Sequence, residues 1–343
     1  MKYLTLASVA LASIAVSIHF PAHAQEKELN LYSARHYSTD QALYDNFTKA
    51  TGIKINRIDL SDDQLLTRVK TEGASSPADV LLLVDAARLY NAQVEGLFAP
   101  VKSAALESRI PTELRDPEGH WFGFSTRARI LVYNKVTMKP ENIVTYEALA
   151  DPKNKGTICV RSGSHPYNLS LISAVIAKAG EAKAEEWAKG VVANLARPPK
   201  GGDTDQIKAV AAGECAVAVS NTYYLARILQ STKPEDKEIA AKIGWVWPNQ
   251  GTWGTHVNIA GGGMAKYAPN KEAAAKFLEY LAGDDAQAYF ADGNNEWPTV
   301  KSAKVKNAAL DAMGSFKPDN VSVAVLGKNA ITAQKMADRA GWK

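Results

Sequence analysis

The chain has only two cysteines among its 343 residues, Cys159 and Cys215, and no CxxC pair. That excludes a thioredoxin-type redox centre and a cysteine-built zinc site. Histidine is nearly as scarce, at six. His120, His165 and His256 do not fall at the spacing of a metal pair, so each reads as a hydrogen-bonded loop residue. A 2-His-1-carboxylate set, a GxSxG elbow and an HExxH helix are all missing, which argues against a hydrolase or a non-haem oxygenase. No GxGxxG follows the first strand, so dinucleotide binding has no support. An excess of one charge is also lacking. The net charge is +4, spread without a basic tract, and nucleic acid is a poor partner.

Long apolar runs are absent except at the start. Lys2 precedes an apolar stretch from Leu4 to Phe20, and Pro21-Ala22-His23-Ala24 ends in a small-x-small pattern. Residues 1–24 therefore read as a cleaved secretory signal peptide, too short and wrongly flanked to span a membrane. Removing Lys2 takes the net charge from +4 to +3. No cysteine stands at the boundary for lipid attachment. The expected product is an exported, soluble, periplasmic protein, not inserted in a membrane and long enough for two domains. Outside the cytoplasm, two cysteines suggest one disulfide.

What is present is an alternation of strands and helices. Leu29–Tyr32, Ile53–Ile58 and Ala78–Val84 read as strands, with helical stripes between them at Leu43, Tyr44 and Phe47 and at Leu65, Leu66 and Val69. Ser38 to Asp40 is a cap signal, and Gly52 ends the first helix. This βαβαβ order predicts a parallel sheet covered on both faces. Gly123 to Tyr133 reads as an extended crossing segment, with Ser125, Arg127 and Arg129 on one face. A second α/β stretch follows, with strands at Thr157–Val160 and Cys215–Val219. Helices are expected at Ser170–Ala179, Gln206–Ala212 and Asn270–Ala282. Gly261-Gly262-Gly263 lacks the lysine of a phosphate loop and reads as a tight turn. Glu181, Glu185 and Glu186 read as a solvated helix face.

Tyrosines mark the ends of these strands. Tyr37, Tyr167 and the pair Tyr223-Tyr224 each follow one, where ligands collect in open α/β sheets. Tyr223 and Tyr224 taken alone are as well explained by packing. As a set, phenols suit a small hard cation such as ferric iron, since phenolate is an anionic oxygen donor. Binding then costs protons and depends on pH.

The sequence resembles the periplasmic ferric-iron-binding proteins of ABC importers, the FutA/FbpA type of bilobal solute-binding protein. The resemblance rests on Leu31-Tyr32-Ser33-Ala34-Arg35-His36-Tyr37, Ser76-Pro77-Ala78-Asp79-Val80, Ser125-Thr126-Arg127-Ala128-Arg129, Ser162-Gly163-Ser164-His165-Pro166-Tyr167-Asn168 and Ser220-Asn221-Thr222-Tyr223-Tyr224. It spans essentially the whole mature chain. It implies an α/β, two-lobed periplasmic binding protein fold of class II type, with central mixed sheets, helices on both faces and two crossing strands. The lobes would be 25–126 plus about 248–300, and 127–247 plus about 301–343. It further implies Tyr37, Tyr167, Tyr223 and Tyr224 as ligands of Fe(III), the transported cargo. Arg127, and more weakly Arg227, would face the metal or an accompanying anion such as carbonate or citrate. His36 is either a further ligand or turned away. The family's additional first-lobe glutamate has no match, since Asp62-Asp63-Gln64 stands there. An inner-membrane ABC permease is the implied partner, and a monomer the implied state. A same-fold binder of a polyamine, thiamine or an oxyanion is the nearest alternative.

Overall fold

The computed structural model describes residues 27–35 and 37–343. The expected signal peptide, 1–24, and His36 lie outside the described residues. Ten strands are described: β1 (Glu28–Ser33), β2 (Lys54–Asp59), β3 (Val80–Leu83), β4 (Phe98–Ala99), β5 (Phe122–Asn134), β6 (Ile158–Cys159), β7 (Val217–Asn221), β8 (Ile243–Val246), β9 (Val257–Ala265) and β10 (Trp297–Pro298). Their order along the sheet is β2-β1-β3-β9-β5-β7-β6, with β10 and β8 added to β5 and β4 added to β9.

The first half follows from the βαβαβ pattern. Strands β2 and β3 run parallel to β1 because the helices Asp40–Thr51 and Asp62–Glu72 carry the chain back between them. All four residues of β3 are apolar and buried, as a strand covered on both faces requires. Gly52 closes the first helix at φ 72°, and Ser61 with Gln64 forms a capping box on the second. The expected Ser38–Asp40 cap does not form: no side chain caps Asp40–Thr51, because the hydroxyl of Thr39, at the N-cap, donates instead to Asn294 Oδ1.

Strand β5 joins the halves. Its residues Phe122–Ala128 pair antiparallel with β9, and Arg129–Asn134 pair with β7 and β8. Alternation along β5 then feeds two cores. Leu131 packs with Ile172, Trp187 and Val217 on one face, while Ile130 and Val132 pack with Ile207 and Leu225 on the other. The first half has its own core around Leu31, Phe47, Leu82, Phe122 and Phe277. The helix Val323–Ala340 contributes Leu326 to that core and Ala333 and Met336 to the second. The result is a mixed sheet with helices on both faces.

One reading needs correction. Gly261, Gly262 and Gly263 are not a turn; they lie inside β9, between β3 and β5. A Cβ there would sit 2.3 Å from Phe122 O, 2.4 Å from Leu81 O and 2.0 Å from His120 O, so these positions need glycine for close backbone approach. Arg127 and Arg129 of β5 are buried, each 2% exposed. Cys159 and Cys215 form the disulfide, with a Cα–Cα separation of 5.8 Å, tying β6 to the residues entering β7. Among the described residues no helix is long and apolar enough to cross a membrane.

Candidate metal centre

Three segments bring the tyrosines together. Tyr37 lies in the loop after β1. Tyr167 is the second residue of the helix Pro166–Ala179, which starts earlier than the sequence pattern suggests because Pro166 occupies its first position. His165 caps that helix, its Nδ1 accepting from Tyr167 N at 3.2 Å. Strand β7 runs directly into the helix Thr222–Gln230, placing Tyr223 and Tyr224 in its first turn. Tyr167, Tyr223 and Tyr224 thus sit at helix N-termini, where the backbone dipole favours an anion.

The oxygens converge. Tyr223 Oη donates to Tyr167 Oη at 3.0 Å, and Tyr37 Oη donates to Glu296 Oε1 at 2.9 Å. The Tyr37 ring meets Tyr223 edge-on at 5.5 Å, and Tyr224 lies against Tyr223 at 4.2 Å. Tyr37, Tyr167 and Tyr223 are buried and Tyr224 partly so. Beside Tyr167 and His165 a groove of ≈ 460 Å³ opens toward Asp62, Gln64 and Arg35. Among the described residues no group of three His, Cys, Asp or Glu could hold a metal.

Cations surround the cluster. The guanidinium carbons of Arg161, Arg127 and Arg129 lie 5.2, 5.8 and 5.9 Å from the Tyr167 ring centre. Arg129 is spent on Asp203 at 2.6 Å and Asn168 at 2.6 Å, and Arg161 also reaches Asp203. Arg127 differs: its buried Nε and Nη1 have no hydrogen-bond partner. Arg227 is exposed, stacked 5.9 Å from Tyr224, on the outer side of its helix.

Burial pushes the Tyr37, Tyr167 and Tyr223 phenols above their ordinary value. For Tyr37 the Glu296 carboxylate adds to this, and for Tyr223 the neighbouring phenols do, with Arg127 pulling back. Burial also opposes the charge on Arg127, but Glu296 and the phenols outweigh it and raise its pKa. Without a bound cation these phenols stay neutral; a multivalent cation supplies what is needed to ionise them.

Glu296 was not singled out from sequence. It is fully buried and accepts from Ser125 Oγ at 2.9 Å and Arg35 Nη2 at 3.3 Å. Asp62 instead accepts from Val84 N at 3.1 Å. The available signal was a lone acid between amides and an aromatic, in Asn294-Asn295-Glu296-Trp297-Pro298.

A mixed sheet in two halves, joined by β5, with a buried polar cleft at the junction, defines a two-lobed α/β solute-binding protein. The chain belongs to the bacterial extracellular solute-binding protein family, whose model matches residues 75–319. It is 49% identical over 319 residues to iron uptake protein A1 of Synechocystis, covering 93% of this chain and 88% of that one. The structure of the Trichodesmium FutA (IdiA) protein in complex with iron and citrate superposes with a TM-score of 0.87 at 54% identity, covering 92% of this chain and 100% of that one. A ferric binding protein from Campylobacter jejuni gives 0.88 at 40% identity, covering 92% and 100%.

Proposed function

We propose that this protein captures Fe(III) in the periplasm through the phenolate oxygens of Tyr37, Tyr167, Tyr223 and Tyr224 and delivers it to an inner-membrane ABC permease. The observation that carries this reading is the convergence of phenols from three segments, with Tyr167 and Tyr223 oxygens 3.0 Å apart in a buried cleft. Three phenolates neutralise a ferric ion and four leave one negative charge, which Arg127 balances. Its two unpartnered donors also suit an accompanying anion such as citrate or carbonate. Arg227, being exposed, is the weaker candidate for that duty. The residues do no chemistry on the cargo, and the role is binding rather than catalysis. We assign the lobes to 25–126 with about 248–300 and to 127–247 with about 301–343, hinged where β5 changes partners. Relatives named for iron uptake and ferric binding support the assignment.

A visible absorption titration of metal-free protein with ferric citrate tests it. Tyrosinate-to-iron charge transfer should give an orange to purple band saturating at one ion per chain. Tyr223→Phe and Tyr224→Phe should shift or abolish the band. A parent protein that stays colourless and binds no iron overturns the reading.

A further inference from the structure

Ser170 follows Tyr167 by three positions on the helix Pro166–Ala179, so the two residues lie on one side of it. The Ser170 hydroxyl is one of the points at which side chains of the two halves meet. Asn258 in β9 donates from Nδ2 to Ser170 Oγ at 2.7 Å and to Asp85 Oδ2 at 2.6 Å. Its Oδ1 accepts from Ala86 N at 2.9 Å and Ile259 N at 2.8 Å, so every polar atom of the amide is committed and its orientation is fixed. Asp85 in turn caps the helix Ala86–Val94 of the first half, accepting from Ala87 N at 2.8 Å.

The same hydroxyl lies 3.2 Å from His256 Nε2, and His256 Nδ1 lies 2.8 Å from Asp319 Oδ2. His256 stands at the pivot. Its carbonyl accepts from Arg129 N at 2.9 Å and its N–H donates to Tyr146 Oη at 3.0 Å, just where β5 exchanges β9 for β7. Ser170, His256 and Asp319 have the order of a hydrolytic triad, but Ser170 is 1% and His256 0% exposed. A hydroxyl that already accepts from Asn258 in the interior serves to hold, not to attack.

We infer that Ser170, gripped by Asn258 and His256, is a positioning residue that locks the Tyr167-bearing helix to strand β9 when the cleft is closed. Swinging the second half away pulls Ser170 off Asn258 and strands a buried donor, a loss that opposes opening. The bond thereby keeps Tyr167 facing Tyr223 and Tyr37. As far as it concerns iron, the inference rests on the function proposed above; the lock itself does not.

The test uses the full-length protein with Ser170→Ala, which deletes the hydroxyl, and Ser170→Cys, which keeps its volume with weaker hydrogen bonding. Two readouts are taken. One is the rate at which excess chelator strips ferric ion, followed by the visible band. The other is the radius of gyration of the metal-free protein by X-ray scattering. Expected for Ser170→Ala are removal about 10-fold faster and a larger metal-free radius, with the saturated spectrum unchanged. Ser170→Cys should fall between, and it decides the matter if the alanine variant does not fold. Variants that merely lose thermal stability, with parental removal rate and radius, overturn the lock. If the parent gives no iron band, the iron reading fails and the scattering comparison alone judges the lock.

Discussion

Tyr37 donates its phenolic hydrogen to Oε1 of Glu296 across 2.9 Å, while Ser125 and Arg35 hold the other carboxylate oxygen at 2.9 and 3.3 Å. The carboxylate is therefore fixed in place and aimed at one phenol. Glu296→Gln keeps the shape and removes a negative charge that both the cation and Arg127 experience. Ferric affinity should fall at least ~10-fold, because the charge acts in a poorly solvated cleft. Competition with citrate measures it, and unchanged affinity would show that Glu296 only packs.

The raised phenol pKa values set the direction of the pH dependence. Binding must expel the protons of Tyr37, Tyr167 and Tyr223, which are neutral in the metal-free protein at neutral pH. Affinity should therefore rise with pH, and a pH indicator should register about three to four protons released per ion. The metal-free fold behaves oppositely. Above pH ~10 the unfolded chain ionises its phenols while the folded chain keeps them protonated, so stability declines as pH rises. The iron-loaded protein, with the cleft phenols already ionised, should show a shallower decline, since burial still holds the Tyr44 and Tyr146 phenols above their ordinary value. Denaturant melts at several pH values compare the two forms.

Reducing the Cys159–Cys215 bond should loosen the second half of the sheet. The bond closes a sequence separation of 56 residues. On the chain-entropy account, its loss costs up to about 4 kcal/mol. Chemical denaturation with and without a reductant, or of a Cys159→Ser/Cys215→Ser double variant, reads this directly. Equal midpoints would mean that the bond adds nothing to equilibrium stability.

Gly263→Ala should be severely destabilising, because its Cβ would meet the His120 carbonyl oxygen at 2.0 Å with no flexible group to move aside. A loss of several kcal/mol, at or above about 3, is expected from such overpacking. Gly52→Ala, at a φ of 72° with open space around it, should cost less. Thermal midpoints of the two variants rank the effects.

The glycine triplet also shows where sequence reading stops. A run of glycines looks like a turn because glycine punctuates most chains. Only the sheet order, which sets β9 between β3 and β5, reveals that flanking carbonyls leave no room for side chains. The first three strands were legible because a helix-then-strand alternation admits few topologies. The phenols were legible because each follows a strand, and the cysteines because an exported chain pairs them. Glu296 was not, since its role depends on meeting Tyr37 across 259 positions of sequence, which no local pattern encodes. Arg127 and Arg129 alternate identically along β5, yet only Arg129 finds a carboxylate in the second half to neutralise it.

Strand β5 passes from one set of partners to the other between Ala128 and Arg129 without leaving the ladder. A bend confined to that point would leave the β5–β9 and β5–β7 pairings on either side in place, so main-chain pairing would set little preference between postures. The choice between postures falls to the side chains in the cleft and to whatever they hold. On the function proposed above, occupancy would be written in the outline of the molecule, and a membrane partner that feels only the distance between two surface patches would tell a full carrier from an empty one without touching the metal.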